Sequence, residues 1–206
     1  ANYSTMRSDL DDFKRQVIDT RTKKLVTIQS EQMRSNQEVE IANFLYLNNI
    51  DYEYEPMYQY DIQFAKKPYT PDFVIHQGDR TAYIEHFGIT QDGHSNRFTA
   101  SELEQYKKAI NDKVLLHRKH GTMLIYTFSC YNDQRTISEH LKESLEEQGF
   151  VLSPRPNKEI MEKLVASEEN RYIRRLVNLI TRFITNFKTN GYTADEFNRM
   201  YHSTQN

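Results

Sequence analysis

Residues 69–88 read Y-T-P-D-F-V-I-H-Q-G-D-R-T-A-Y-I-E-H-F-G, and the fold turns on how this stretch is read. Two short β-type runs, 73–76 and 82–87, flank a Gln77-Gly78-Asp79 turn signal, which predicts a β-hairpin. Asp72 follows Pro71 at the start of the first strand. Glu85 stands inside the apolar run Tyr83-Ile84-Glu85-His86-Phe87, where a carboxylate is costly unless it is paired or binds a metal. Two carboxylates on adjacent strands can converge on one hard cation, and Mg²⁺ or Mn²⁺ selects oxygen ligands of this kind. The same residues also fit a turn aspartate beside a buried, salt-bridged glutamate.

Working outward, 206 residues suffice for one domain with an appendage or for two small ones. With 37% hydrophobic and 27% charged residues the chain is polar but globular. A formal net charge of −2 supplies no global basic field, so contacts to nucleic acid must come from local basic groups. The single cysteine, Cys130, excludes an internal disulfide framework and fits a reducing compartment. The absence of a long apolar run and of a signal-peptide layout predicts a cytoplasmic protein with no membrane partner. The open-ended helical termini read as those of a piece of something larger.

In chain order, residues 1–34 read as a helical extension with a broken stripe of Leu10, Phe13, Val17, Leu25 and Ile28, too polar for core. Ser35 to Glu38 has the S-x-x-E form of a capping box, opening a buried helix that ends at Asn48-Asn49. Glu38 therefore reads either as a cap or as a third carboxylate at the edge of the site. Residues 52–60 fit an edge strand bent at Pro56, followed by a loop with Lys66 and Lys67 as candidate phosphate contacts. After the hairpin, the polar loop 90–99 carries His94 and Arg97, suited to substrate contact. A helix capped by Ser101 runs to about residue 120, with Lys113 and His117 on one face. The apolar run 122–128 reads as a buried, parallel strand reached by a crossover. An amphipathic helix occupies 136–148, and Ser153-Pro154-Arg155-Pro156 is the linker candidate. It divides a core of 35–152 from a helical segment, 157–206, whose long helix carries Arg171, Arg174, Arg175, Arg182 and Lys188 around an apolar stripe.

The order helix, three strands, helix, strand, with Glu38, Asp72 and Glu85 on the first helix and the second and third strands, resembles the PD-(D/E)xK nuclease superfamily. Pro71-Asp72 matches its "PD". The segments S-N-Q-E-V-E-I-A-N-F-L (35–45), D-Y-E-Y-E-P (51–56), Y-T-P-D-F (69–73), Y-I-E-H-F-G-I (83–89) and L-H-R-K-H-G-T (116–122) look closer still to the nuclease-type domain inserted in helicase IV-like, UvrD/Rep-like superfamily 1 helicases. The stretch L-I-T-R-F-I-T-N-F-K-T-N-G-Y (179–192) looks like the helical continuation of such helicases.

The resemblance implies an α/β, restriction-endonuclease-like αβββαβ core with a mixed central sheet, flanked by N- and C-terminal helices. It implies a Mg²⁺- or Mn²⁺-dependent deoxyribonuclease. Asp72, Glu85 and the His86 backbone carbonyl would hold the metal, and Glu38 would orient a water or a second ion. DNA would be the substrate, with Lys66, Lys67, Arg97 and His117 as contacts, and helicase motor domains of the same polypeptide the partner. One position departs from the pattern. The family's lysine lies two residues after the glutamate, on the same strand face, and here that residue is Phe87. Lys113, beside the apolar face of the following helix, is the expected replacement, with Lys107 and Lys108 as rivals. A catalytically inactive DNA-binding or docking module is the alternative, and an unrelated α/β interaction domain a third reading. No G-x-x-x-x-G-K-[ST] phosphate loop is present, so this chain is not the ATP motor.

Overall fold

A computed structural model describes residues 3–60 and 68–193, together with 195, 196 and 199. Lys66 and Lys67, and the side chains of Leu10, Phe13, Arg171, Arg174 and Arg175, lie outside the described residues. The elements run α1 (Tyr3–Lys23), α2 (Asn36–Leu47), β1 (Asp51–Tyr54), β2 (Phe73–Gln77), β3 (Arg80–Thr90), α3 (Ala100–Lys119), β4 (Met123–Cys130), α4 (Ile137–Glu147) and α5 (Asn157–Thr189). The class is α/β, with a four-stranded mixed sheet in the order β1-β2-β3-β4. The first three strands are antiparallel, and β4 joins β3 in parallel. Among the described residues no helix is long and apolar enough to cross a membrane.

The hairpin forms as its sequence dictates. Gln77 pairs with Arg80, leaving Gly78-Asp79 as a two-residue turn, and Gly78 takes φ +58°, open to glycine at no steric cost. Alternation then sorts the side chains. Phe73, Ile75, Ala82, Ile84 and Ile125 face Ile41, Ala42 and Leu45 of α2 and Leu141 and Leu145 of α4, forming the main core. Each such large aliphatic side chain contributes roughly 1.5–3 kcal/mol by burial. Val74 and Tyr83 point the other way, onto Tyr58, Tyr69, Leu116 and Leu124. The sheet thus has a dry face under α2 and α4 and an aromatic, more polar face under α3.

Several expectations need correction. The helix over 1–34 stops at Lys23: Leu25 and Ser30 take positive φ, and Val26 bridges Gln32. This segment is core after all. Ile28 is fully buried, with its N–H donating to Asn43 and its carbonyl accepting from the Arg21 guanidinium. The strand beginning at β1 ends at Tyr54, because Glu55 turns into the left-handed region at φ +49° before Pro56. Thr99, not Ser101, caps α3: Glu102 lies three residues beyond Thr99, and both halves of the capping box form. β4 is parallel as expected, but as an edge strand it leaves Tyr126 half exposed. Residues 153–156 are tied back to α2 through Ser153 N–H on the Asn48 carbonyl and Arg155 N–H on that of Leu47. The division into two compact units falls later, inside α5, between Ala1–Met161 and Glu162–Asn206.

Candidate active site

Register brings the two key carboxylates together. Phe73 pairs with Ile84, so one step further out Asp72 stands opposite Glu85. Glu85 shares the α3 face with Tyr83 and Phe87 and is 1% exposed. A buried carboxylate requires partners, and Glu85 has two: Tyr69 Oη donates to Oε1 at 2.5 Å, and Lys113 Nζ donates to Oε2 at 2.5 Å. Lys113 reaches in from α3 with its ammonium 5.4 Å from the centre of the Tyr69 ring. Of the rivals, Lys107 instead faces Glu104 on its own helix. The strand position where a lysine is expected holds Phe87, buried against the rings of Tyr126 and Phe128. Lys113 therefore delivers an ammonium to the face on which Phe87 cannot.

Asp72 accepts the His86 N–H on Oδ2 at 2.7 Å. Its Oδ1 accepts no hydrogen bond among the described residues. Burial, and then the charge of Glu85, push its carboxyl up to about 7. The N–H and C=O of one strand residue project to the same side. The His86 carbonyl is thus directed beyond the end of β2, on the Asp72 side. The His86 ring lies on the opposite face, with Nδ1 2.9 Å from Thr127 Oγ1 and Nε2 3.0 Å from Gln37 Oε1. Gln37 in turn donates to the Ser129 carbonyl, and burial lowers the His86 imidazole to about 4, so it stays neutral.

Glu38 does not close the expected capping box with the Ser35 N–H. Ser35 accepts the Glu38 N–H as the N-cap should, but the Glu38 carboxylate accepts from the Arg34 N–H at 3.1 Å and from Tyr54 Oη at 2.7 Å. It is held at the rim, close enough for its charge to raise the Asp72 carboxyl. His117 is corrected as a nucleic-acid contact. It is 1% exposed, with Nε2 3.1 Å from Tyr69 Oη and Nδ1 2.8 Å from Thr122 Oγ1. Desolvation and the Lys113 charge lower its imidazole to about 4.

Arg97 is exposed on the loop after β3 and lines an open cleft of about 400 Å³ with Asn36, Gln37, Gly88, Thr90 and Ser129 among others. Among the described residues no carboxylate lines this cleft. Gln37 connects it to His86 and so to the Asp72 side of the cluster.

Sequence reasoning missed Tyr69, Tyr54 and Gln37. Tyr69 stands three residues before Asp72 in the quoted stretch, but nothing in its spacing separates it from the other 13 of the 14 tyrosines. Burial and the Glu85 charge keep its phenol protonated, which suits it as a donor.

Among the described residues no group of three or more His, Cys, Asp or Glu side chains is arranged to hold a metal ion. The register sets the Asp72 and Glu85 carboxylates opposite each other, and carboxylate oxygens are the donor type that Mg²⁺ or Mn²⁺ selects. Burial first, and the Glu85 charge second, raise the Asp72 carboxyl by more than the His86 N–H and the Lys113 charge lower it. Compared with family models, curated proteins and solved structures, the chain matches none.

Proposed function

We propose that this chain is a Mg²⁺- or Mn²⁺-dependent DNA nuclease domain of the PD-(D/E)xK type, belonging to a superfamily 1 helicase. The observation that carries the reading is the triad of Asp72, Glu85 and Lys113, with Asp72 opposite Glu85 on the hairpin and the lysine bonded to Glu85 from α3. A divalent ion at Asp72 Oδ1, Glu85 and the His86 carbonyl would supply Lewis acidity toward the scissile phosphate and make a water more acidic.

The chain's own residues do the rest. The His86 N–H fixes the Asp72 carboxylate through Oδ2 and leaves Oδ1 directed to the reaction. Lys113 places a positive charge where a pentavalent phosphate gathers negative charge, an interaction stronger in the transition state than in the ground state. Glu38, steadied by Tyr54, offers an acceptor at the rim for an attacking water. Arg97 in the carboxylate-free cleft suits a neighbouring phosphate of the same strand.

A second reading, an inactive DNA-binding or docking module, is favoured by one observation: both Glu85 oxygens are already bonded within the protein. Labelled single-stranded and duplex DNA incubated with Mg²⁺ or Mn²⁺ separates the two. Metal-dependent cleavage lost in Asp72→Asn supports the nuclease, and retention of DNA without cleavage supports the module. Neither cleavage nor retention overturns both. The helicase connection predicts no ATP turnover by this chain, which has no phosphate loop.

A further inference from the structure

The polar groups beneath Glu85 form one continuous chain. Tyr58 Oη lies 2.7 Å from Thr122 Oγ1, Thr122 Oγ1 2.8 Å from His117 Nδ1, His117 Nε2 3.1 Å from Tyr69 Oη, and Tyr69 Oη 2.5 Å from Glu85 Oε1. The four residues come from four places: the segment after β1, the residue before β4, α3, and the segment before β2. Tyr58 and His117 are each 1% exposed, and their rings pack at 4.7 Å.

Counting hydrogens gives the chain a direction. An ionised carboxylate only accepts, so the single Tyr69 hydroxyl hydrogen points at Glu85. Tyr69 Oη is then an acceptor toward His117, which places a hydrogen on Nε2. A neutral imidazole carries one hydrogen, so Nδ1 accepts from Thr122, whose hydroxyl lies 2.8 Å from Nδ1 and 3.3 Å from a competing acceptor, the His117 carbonyl. The Thr122 oxygen is left to accept from Tyr58. Every donor points toward Glu85, and a reversal at any step would leave two donors or two acceptors face to face.

A buried polar chain of this kind brings little net stability over apolar side chains of similar size. Its specific product is a fixed polarity at Glu85. Resting on the reading of Glu85 as the site carboxylate, we infer that Tyr58, Thr122, His117 and Tyr69 are a one-way hydrogen-bond relay that holds Glu85 Oε1 as an acceptor and presents Oε2 to Lys113 and the reacting centre. His117 is a positioning residue: it touches Tyr69, not substrate, and its tautomer sets which way the Tyr69 hydroxyl points.

The full chain, labelled with ¹⁵N, tests this by NMR. The relay requires the Nε2–H tautomer of His117, and finding Nδ1–H overturns it. Thr122 contacts neither Glu85 nor Lys113 in the relay, yet Thr122→Val should mix the tautomers and move the Lys113 ammonium resonance, whereas Thr122→Ser should restore both. Tyr69→Phe removes the final donor and should move the same resonance further. An unmoved Lys113 resonance in folded Thr122→Val and Tyr69→Phe also overturns the relay, and Tyr69→Phe keeps the test decisive if Thr122→Val does not fold. Calorimetric titration of Mn²⁺ gives a second readout, with affinity expected to fall on the order of tenfold in Tyr69→Phe, as for groups that orient a metal ligand. Wild-type protein that binds no Mn²⁺ but shows the Nε2–H tautomer and a Lys113 shift in the variants overturns the metal reading and supports the relay.

Discussion

At the scale of single residues, Glu85 and Asp72 meet burial in opposite ways. Glu85 is enclosed and satisfied by a phenol and an ammonium. Replacing Lys113 with Met removes the ammonium but keeps much of its apolar stem, leaving a buried charge with one neutral donor. The expected outcome is a loss of about 1–3 kcal/mol in urea unfolding and a fall of roughly 10²–10³ in kcat with little change in KM. Adding Glu85→Gln to Lys113→Met should recover most of the stability and none of the cleavage. If the double variant is no more stable than Lys113→Met, the buried charge is not the source of the loss. Asp72 has one oxygen bonded and one that accepts no hydrogen bond among the described residues, and its carboxyl rises from 3.8 to about 7. The folded value lies above the unfolded one, so between them the native state binds a proton that the unfolded chain has released. The associated stability is complete below about pH 4 and is lost as pH rises through 7. Without metal, wild-type protein should therefore lose stability over this window relative to Asp72→Asn, a comparison readable from urea midpoints at successive pH. Parallel curves would refute the assignment. Mn²⁺ added near pH 7 should displace that proton and reverse the trend.

At the scale of elements, what the sequence made legible was whatever depends on neighbours along the chain. Alternation around Gln77-Gly78-Asp79 predicts the hairpin, and with it the meeting of Asp72 and Glu85. The face shared by Lys113 and His117 places α3 over that pair. What was hidden depends on partners distant in sequence. The Glu38 carboxylate fits a capping box by spacing, but Tyr54, 16 residues on, competes for it and the Arg34 N–H replaces that of Ser35. His117 shares a helix face with Lys113 and is expected as a nucleic-acid contact, but the loop carrying Tyr58 folds over it. The break after Lys23 is imposed by Arg21 and Asn43 binding the backbone of 27–28, which no local propensity announces. Caps offer a clean test of local against tertiary support. Thr99→Ala removes the α3 N-cap, at a typical cost of about 1 kcal/mol. Lys113 lies 14 residues further along and is anchored by Glu85, so cleavage measured on the folded protein should be unchanged. A drop in kcat matching that of Lys113→Met would mean that the cap, not packing, sets the position of the lysine.

At the scale of the whole molecule, the proposed function makes electrostatics decide when this chain would hold DNA. Its formal net charge is −2, so no long-range positive field offsets the repulsion of a polyanion. Locally, Glu38, Asp72 and Glu85 oppose an incoming phosphate, and Lys113 is already engaged with Glu85. Arg97 and its carboxylate-free cleft remain as a described point of attraction. A divalent ion at the Asp72–Glu85 pair would change the sign of the local charge and complete the phosphate site. Two expectations follow for fluorescence anisotropy with a short DNA, using Lys113→Met to suppress cleavage. Binding without divalent metal should be weak and shallow in salt, with a slope of log K on log salt corresponding to about one to three phosphate contacts. Mg²⁺ should tighten it at least about tenfold, or ~1.4 kcal/mol, and this gain should vanish in Asp72→Asn. Arg97→Ala should reduce the slope by about one contact in both conditions, because its charge acts on phosphate whether or not the metal is bound. Tight, steeply salt-dependent binding in the absence of metal, insensitive to Asp72→Asn, would move the DNA-binding surface away from this cluster and leave the Asp72–Glu85–Lys113 arrangement as an internal ion network.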